Sequence, residues 1–265
     1  MKNRYLIGLV IFLFSTAVFA KEKEYLLSVS LVGMSMDYSE YLSSGELFDT
    51  EESDFSGIVG VELGLTKILP TESRNYAQVG ISYMSLAGET QYTGGIIGSG
   101  LGYGSYLSGT LDNIIDTEIE YVYTSVLEND FEISYGIGAG YREWRRELSA
   151  TQIEIYSWYS LRPKIALTYK YNDFSVAACL EYQYGLNTEM SFDIPGTYAV
   201  LTLGAANITK LTLPLKYKYS NKINLFSEYV YEKQIIEESN VVDGWLEPRS
   251  EAYNQYLKFG AEFKF

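Results

Sequence analysis

Residues 131–141 read FEISYGIGAGY. Phe131, Ile133, Tyr135, Ile137, Ala139 and Tyr141 alternate without a break against Glu132, Ser134, Gly136, Gly138 and Gly140. Successive side chains of a strand point to opposite faces, so a period of two gives one apolar face and one face of small and charged residues. The length matches the roughly 9–11 residues that a tilted strand needs to cross the hydrocarbon of a bilayer.

The same alternation recurs along the chain and predicts ten strands. In Tyr25–Tyr41 the phase slips: Leu27, Val29 and Leu31 lead, then Met34, Met36 and Tyr38 take over, and a bulge near Val32 is expected. Residues 55–65, 77–83, 115–123, 153–169, 174–184, 211–219 and 223–231 follow. The last, 256–265 (YLKFGAEFKF), sets Leu257, Phe259, Ala261, Phe263 and Phe265 against Lys258, Glu262 and Lys264. The fold class is therefore all-β: a closed antiparallel transmembrane β-barrel of ten strands, with eight or twelve as alternatives. An even number puts both ends of the chain on one side.

Connection lengths test this independently, because membrane barrels have short turns on one side and long loops on the other. Short links fall at 70–75, 127–130, 171–173 and 219–222, and long ones at 42–52, 88–112, 187–205 and 236–249; only 147–151 is brief on the long side. A soluble sandwich also alternates, but it accounts for neither this rhythm nor an inner face rich in Glu, Lys and Arg. Tyr76, Tyr123, Phe131, Tyr169, Phe174, Tyr217, Phe263 and Phe265 collect at the short-turn ends, as an aromatic girdle at the membrane interface requires.

The first twenty residues, MKNRYLIGLVIFLFSTAVFA, place Lys2 and Arg4 before an apolar run and end on small residues, the pattern of a secretory signal peptide. The run is shorter than the ~20 apolar residues of a spanning helix. The expected organisation is a signal at 1–20 and a barrel with long extracellular loops at 21–265, exported to a bacterial outer membrane. Removing Lys2 and Arg4 takes the net charge from −14 to −16, which excludes a nucleic-acid partner. Cys179 is the single cysteine, so no intramolecular disulfide forms.

The chain has no histidine. That removes Ser-His acyl transfer and His-ligated zinc, and no catalytic residue, metal or cofactor is assigned. Glu62, Asp116, Glu118, Glu120, Arg142, Arg146, Arg162, Lys164, Glu181 and Glu228 fall on the inner phase. Paired carboxylates there suit acid/base work, but a salt-bridged plug filling a narrow barrel is the favoured reading. Residues 94–109, GGIIGSGLGYGSYLSG, contain neither GK[ST] nor GxGxxG and are expected to form an outer loop. At the outer end of the fifth strand the outward phase continues Tyr141, Glu143, Arg145. Charges facing outward are tolerated near the interface, either because the strand has risen above the bilayer or because they meet the phosphate and sugar head of lipopolysaccharide.

Residues 138–145, GAGYREWR, are similar to the AGYxExR stretch of the omptins, ten-stranded surface proteases of Gram-negative outer membranes. Residues 163–174, PKIALTYKYNDF, resemble the hairpin that follows in that family, and the terminal strand is also similar. The resemblance implies a lipopolysaccharide-binding role for Tyr141, Glu143 and Arg145; a further family arginine on the next strand is Tyr159 here. Omptins use an Asp pair on one outer loop and an Asp-His pair on another. Residues 88–111 contain no aspartate, and Asp243-Gly-Trp245 offers only a carboxylate near the second pair.

The expected function is a non-proteolytic, lipopolysaccharide-associated surface, binding or structural barrel. The alternatives are an omptin-type endopeptidase or other carboxylate-dependent hydrolase, and a small channel. Expected partners are outer-membrane lipid and lipopolysaccharide, an extracellular ligand through the loops, and the outer-membrane assembly machinery, which reads the terminal strand at Phe263 and Phe265.

Overall fold

A computed structural model of the chain describes residues 25–71, 74–96 and 101–265. The expected signal segment lies outside them, as do residues 97–100 of the glycine-rich stretch. The strands are β1 (Tyr25–Tyr41), β2 (Leu47–Pro70), β3 (Tyr76–Ile96), β4 (Leu101–Val126), β5 (Phe131–Ser149), β6 (Gln152–Tyr171), β7 (Phe174–Ile194), β8 (Thr197–Thr202), β9 (Ala206–Lys218), β10 (Ile223–Ile236) and β11 (Arg249–Lys264). All pairings are antiparallel, and β11 pairs with β1 from Leu26↔Lys264 to Tyr41↔Arg249, which closes the sheet on itself.

Ten strands make the ring. β8 stands outside it, paired only with the outer part of β7 from Glu189↔Thr202 to Ile194↔Thr197, while the lower part of β7 pairs with β9. The short turns mark the inner end. Asn129 and Asp130 both take positive φ (59° and 65°), as does Asn172 (54°), the left-handed geometry that lets a tight hairpin follow the twist of its strands. The inner rim carries ring pairs across neighbouring strands: Phe131 with Tyr169 (4.9 Å), Phe174 with Tyr217 (4.8 Å) and Tyr25 with Phe265 (6.3 Å). Tyr25 and Phe265 also exchange two backbone hydrogen bonds of 3.1 Å, so the last residue helps seal the first strand to the last.

Outward-facing Leu31, Val59, Ile119, Ile137, Leu167, Leu180, Leu215 and Phe259 are all exposed. At about 25 cal/mol per Å² of apolar surface, a continuous band of this kind is unfavourable in water and favourable in lipid.

The structure corrects three expectations. The stretches 42–52, 88–112 and 187–205, expected as loops, are largely strand: β3 and β4 pair beyond the band as far as Ile96↔Leu101, with a register shift after Gly94↔Tyr106, and β8 lies within the third. These hairpins satisfy their own backbone groups, so they continue past the point where lipid ends. The irregularity expected near Val32 falls two residues on, where the β1–β2 register shifts between Met34 and Met36; the extra residues are in β2, between Glu52 and Ile58, and β1 stays continuous with β11. The apparent slip is a change of medium. Leu27, Val29 and Leu31 face outward below, whereas above them the buried inward residues are Val32, Met34, Met36 and Tyr38. Finally, Tyr76 leaves the girdle. It pairs with Thr124 on the inner phase, and its hydroxyl donates to Glu132 Oε2 at 3.2 Å.

Candidate functional site

Inside the ring the side chains form three levels. The lowest surrounds a cavity of about 400 Å³ near the inner end, lined among others by Ser28, Glu62, Cys179, Lys216, Lys258 and Glu262. Its charges are paired: Lys258 Nζ lies 2.7 Å from Glu62 and 2.9 Å from Glu228, and Lys164 Nζ lies 2.7, 2.8 and 2.9 Å from Glu118, Glu120 and Glu181.

The middle level is a buried guanidinium lattice. Arg142 Nε donates to Asp116 Oδ2 (2.7 Å), and its Nη1 and Nη2 donate to the two oxygens of Glu232 (2.8 and 3.1 Å). Arg162 Nη1 donates to the other Asp116 oxygen (2.8 Å), and Asn254 and Tyr256 donate to Glu232. Each charge finds a partner, as removal from water demands. The glycines of β5 make the space: a Cβ on Gly138 would come within 2.1 Å of Glu118 Oε1, and one on Gly140 within 2.3 Å of Arg162 Cζ. That is why the inner face of this strand alternates in glycine. Above the lattice Met34, Met36, Ile114 and Trp158 fill the bore, and Trp158 is 1% exposed.

The third level is the mouth. The outward face of β5 turns charged at Glu143, Arg145 and Glu147, and that of β1 turns polar at Ser35, Asp37 and Ser39, so this level stands above the apolar band. Arg146 sits among three rings, with its Cζ 4.6 Å from Tyr38, 5.2 Å from Trp144 and 5.8 Å from Tyr156. It pairs with Glu40 (2.8 Å), Glu154 (3.0 Å) and Glu51 (3.1 Å). Asp112 accepts from Trp144 Nε1 (2.7 Å) and Thr90 (2.8 Å), Asp49 accepts from Tyr92 (3.0 Å), and Glu247 accepts from Tyr156. Arg146 therefore belongs to a separate cluster from Arg142 and Arg162. Of these carboxylates, Glu154 lies on the inner phase of the sequence pattern without a partner to mark it, Asp49, Glu51, Asp112 and Glu247 lie in stretches that read as loops, and Glu40 is hidden by taking the inner face as the polar one throughout; the regular Met34-Ser35-Met36-Asp37-Tyr38 alternation carries the signal of the inversion.

On the outer surface, Tyr141 and Tyr159 are register partners with ring centroids 5.2 Å apart, and Tyr141 donates to Glu143 Oε2 at 2.9 Å. Arg145 does not join Glu143. It pairs with Glu147 at 2.9 Å and leaves 41% of its side chain exposed.

No family model matches the chain, and no curated protein matches it in sequence. Among solved structures it is similar to the outer membrane protease OmpT from Escherichia coli, with a TM-score of 0.53 and 11% identity over 92% of this chain and 98% of that one. The fold is that of an outer-membrane β-barrel. At that identity the likeness extends to the fold alone. A second match, the translocator domain of the autotransporter NalP from Neisseria meningitidis, has 9% identity over 99% of this chain and 96% of that one, and its TM-score of 0.42 is too low to argue from. Outer-membrane barrels in general have their short turns on the periplasmic side and their long loops outside.

Proposed function

We propose that this chain is exported to a bacterial outer membrane and serves there as a sealed, non-proteolytic surface barrel that holds lipopolysaccharide against β5 and β6. The observation that carries the reading is the Tyr141–Tyr159–Glu143 cluster with an exposed guanidinium at Arg145, set where the outward face passes from apolar to charged. Amphipathic rings favour that level, and an arginine fork suits phosphate oxygens. The long outer hairpins, β1 with β2, β3 with β4, and β7 with β8, then act as a rigid platform for surface contact. Phe263 and Phe265, on the strand that closes the ring, are the residues the assembly machinery reads.

Arg145→Ala is expected to weaken lipopolysaccharide association of the purified barrel about tenfold or more, the size of one lost charge-assisted hydrogen bond. Co-purified lipopolysaccharide, measured by phosphate content after detergent exchange, provides the readout. Equal amounts on the variant and the parent would remove the assignment to this face.

A further inference from the structure

The mouth holds more carboxylates than cations. Glu40 comes from β1, Asp49 and Glu51 from β2, Asp112 from β4, Glu154 from β6, and Glu247 from the segment after β10. Among the described residues every ion pair these six make runs to Arg146 on β5, and it reaches only Glu40, Glu51 and Glu154. The other ionisable groups facing them are the phenols of Tyr38, Tyr92 and Tyr156, which donate hydrogen bonds to Glu40, Asp49 and Glu247 and carry no charge. Asp49 and Glu51 are fully buried, yet Asp49 Oδ1 and Glu51 Oε1 accept no hydrogen bond among the described residues. Six like charges around one guanidinium, out of water, cannot all be ionised together.

We propose that the outer mouth is a proton-held latch: the carboxylates that Arg146 does not neutralise bind protons while the β1–β2 and β3–β4 hairpins are docked on β5 and β6, and loss of those protons as pH rises through neutral undocks the hairpins.

Burial, then Glu51, raises Asp112 from 3.8 to about 7, against the pull of Trp144, Thr90 and Arg146. Burial and then Glu40 push Asp49 and Glu247 well up, and burial raises Glu154 despite Arg146. A carboxyl raised by folding favours the folded mouth in acid, and that contribution is lost as pH climbs through the raised value. For Asp112 the loss runs from about 4 through about 7, so the latch is tightest in acid and loosens toward alkaline pH.

The test is hydrogen exchange of the full barrel in detergent micelles, following residues 34–41 and 47–52, corrected for the base dependence of intrinsic exchange. The indole emission of Trp144, hydrogen-bonded to Asp112, gives a second reading. Opening of the hairpins is expected to rise by up to about tenfold per pH unit for each proton released, with a fluorescence transition near pH 7. Asp112→Asn and Glu247→Gln keep an acceptor oxygen for Trp144 and Tyr156 and cannot ionise. They are expected to flatten both curves while retaining the heat-modifiable gel migration of a closed barrel. Corrected exchange that is flat across this range, or a transition unchanged in both variants, would overturn the proposal.

Discussion

Arg142→Met is expected to destabilise the barrel by about 3–5 kcal/mol, because it leaves the charges of Asp116 and Glu232 without a counter-charge they now share. Arg142 and Glu232 are 3% and 0% exposed, so water does not replace the lost partner. Asp116 keeps Arg162 at 2.8 Å, whereas the one cation left to Glu232 among the described residues is Lys210, at 3.6 Å. Glu232 therefore bears most of the penalty. Adding Glu232→Gln to Arg142→Met removes the orphaned charge and is expected to recover a large part of the loss, since the pair is strongly coupled. Urea unfolding in micelles, followed by loss of heat-modifiable migration, measures both. A single-variant loss below about 1 kcal/mol would mean that the lattice contributes little.

The second large effect is expected at Gly60. Its ideal Cβ would lie 2.0 Å from the carbonyl oxygen of Ser85 and 2.8 Å from the Cα of Leu86, both backbone atoms of β3 that no rotamer can move aside. Gly60 lies two residues past Ile58, where the β2–β3 register shift ends, and a bulge of this kind bends its strand. Gly60→Ala must therefore part β2 from β3, at a cost at or above the upper end of about 1–3 kcal/mol for overpacking. Gly102→Ala on β4 meets nothing within 4 Å and is the matched control, expected to be neutral. Equal midpoints for the two variants in the same urea experiment would show that the bend has no need of the glycine.

The part of the fold that touches lipid was legible because one physical rule governs it. Between Phe131 and Tyr141 apolar means outward and polar means inward, and the strand appears where that alternation predicts it. Above the bilayer the rule reverses. Met34, Met36 and Tyr38 keep the inward phase that Ser28 and Ser30 hold below, but they are now the apolar set, and Ser35 and Asp37 face water. A reading that fixes polarity to a face interprets this as a slipped strand and misses the mouth beneath it. The outer hairpins were hidden for a related reason: in Glu89-Thr-Gln-Tyr-Thr93 buried and exposed positions alternate, but Thr90 and Tyr92 turn toward the polar mouth, so both phases carry polar groups and hydropathy shows no period. Of the candidate sites, the charges of the inner phase could be named singly, but the division that puts Arg142 and Arg162 in one lattice and Arg146 in another depends on which neighbours face them across the bore.

The sealed bore is the central claim, and conductance tests it most directly. Purified barrel in a planar bilayer at neutral pH is expected to pass no ion steps, because Trp158, Met34, Arg142 and the Tyr38–Trp144–Tyr156 cage close the bore above the inner cavity. A variant with Tyr38, Trp144, Tyr156 and Trp158 all changed to alanine serves as the open control, provided it keeps heat-modifiable migration. Silence from the parent and steps from the emptied variant agree with a plugged scaffold. Reproducible steps from the parent would contradict it and make the protein a channel.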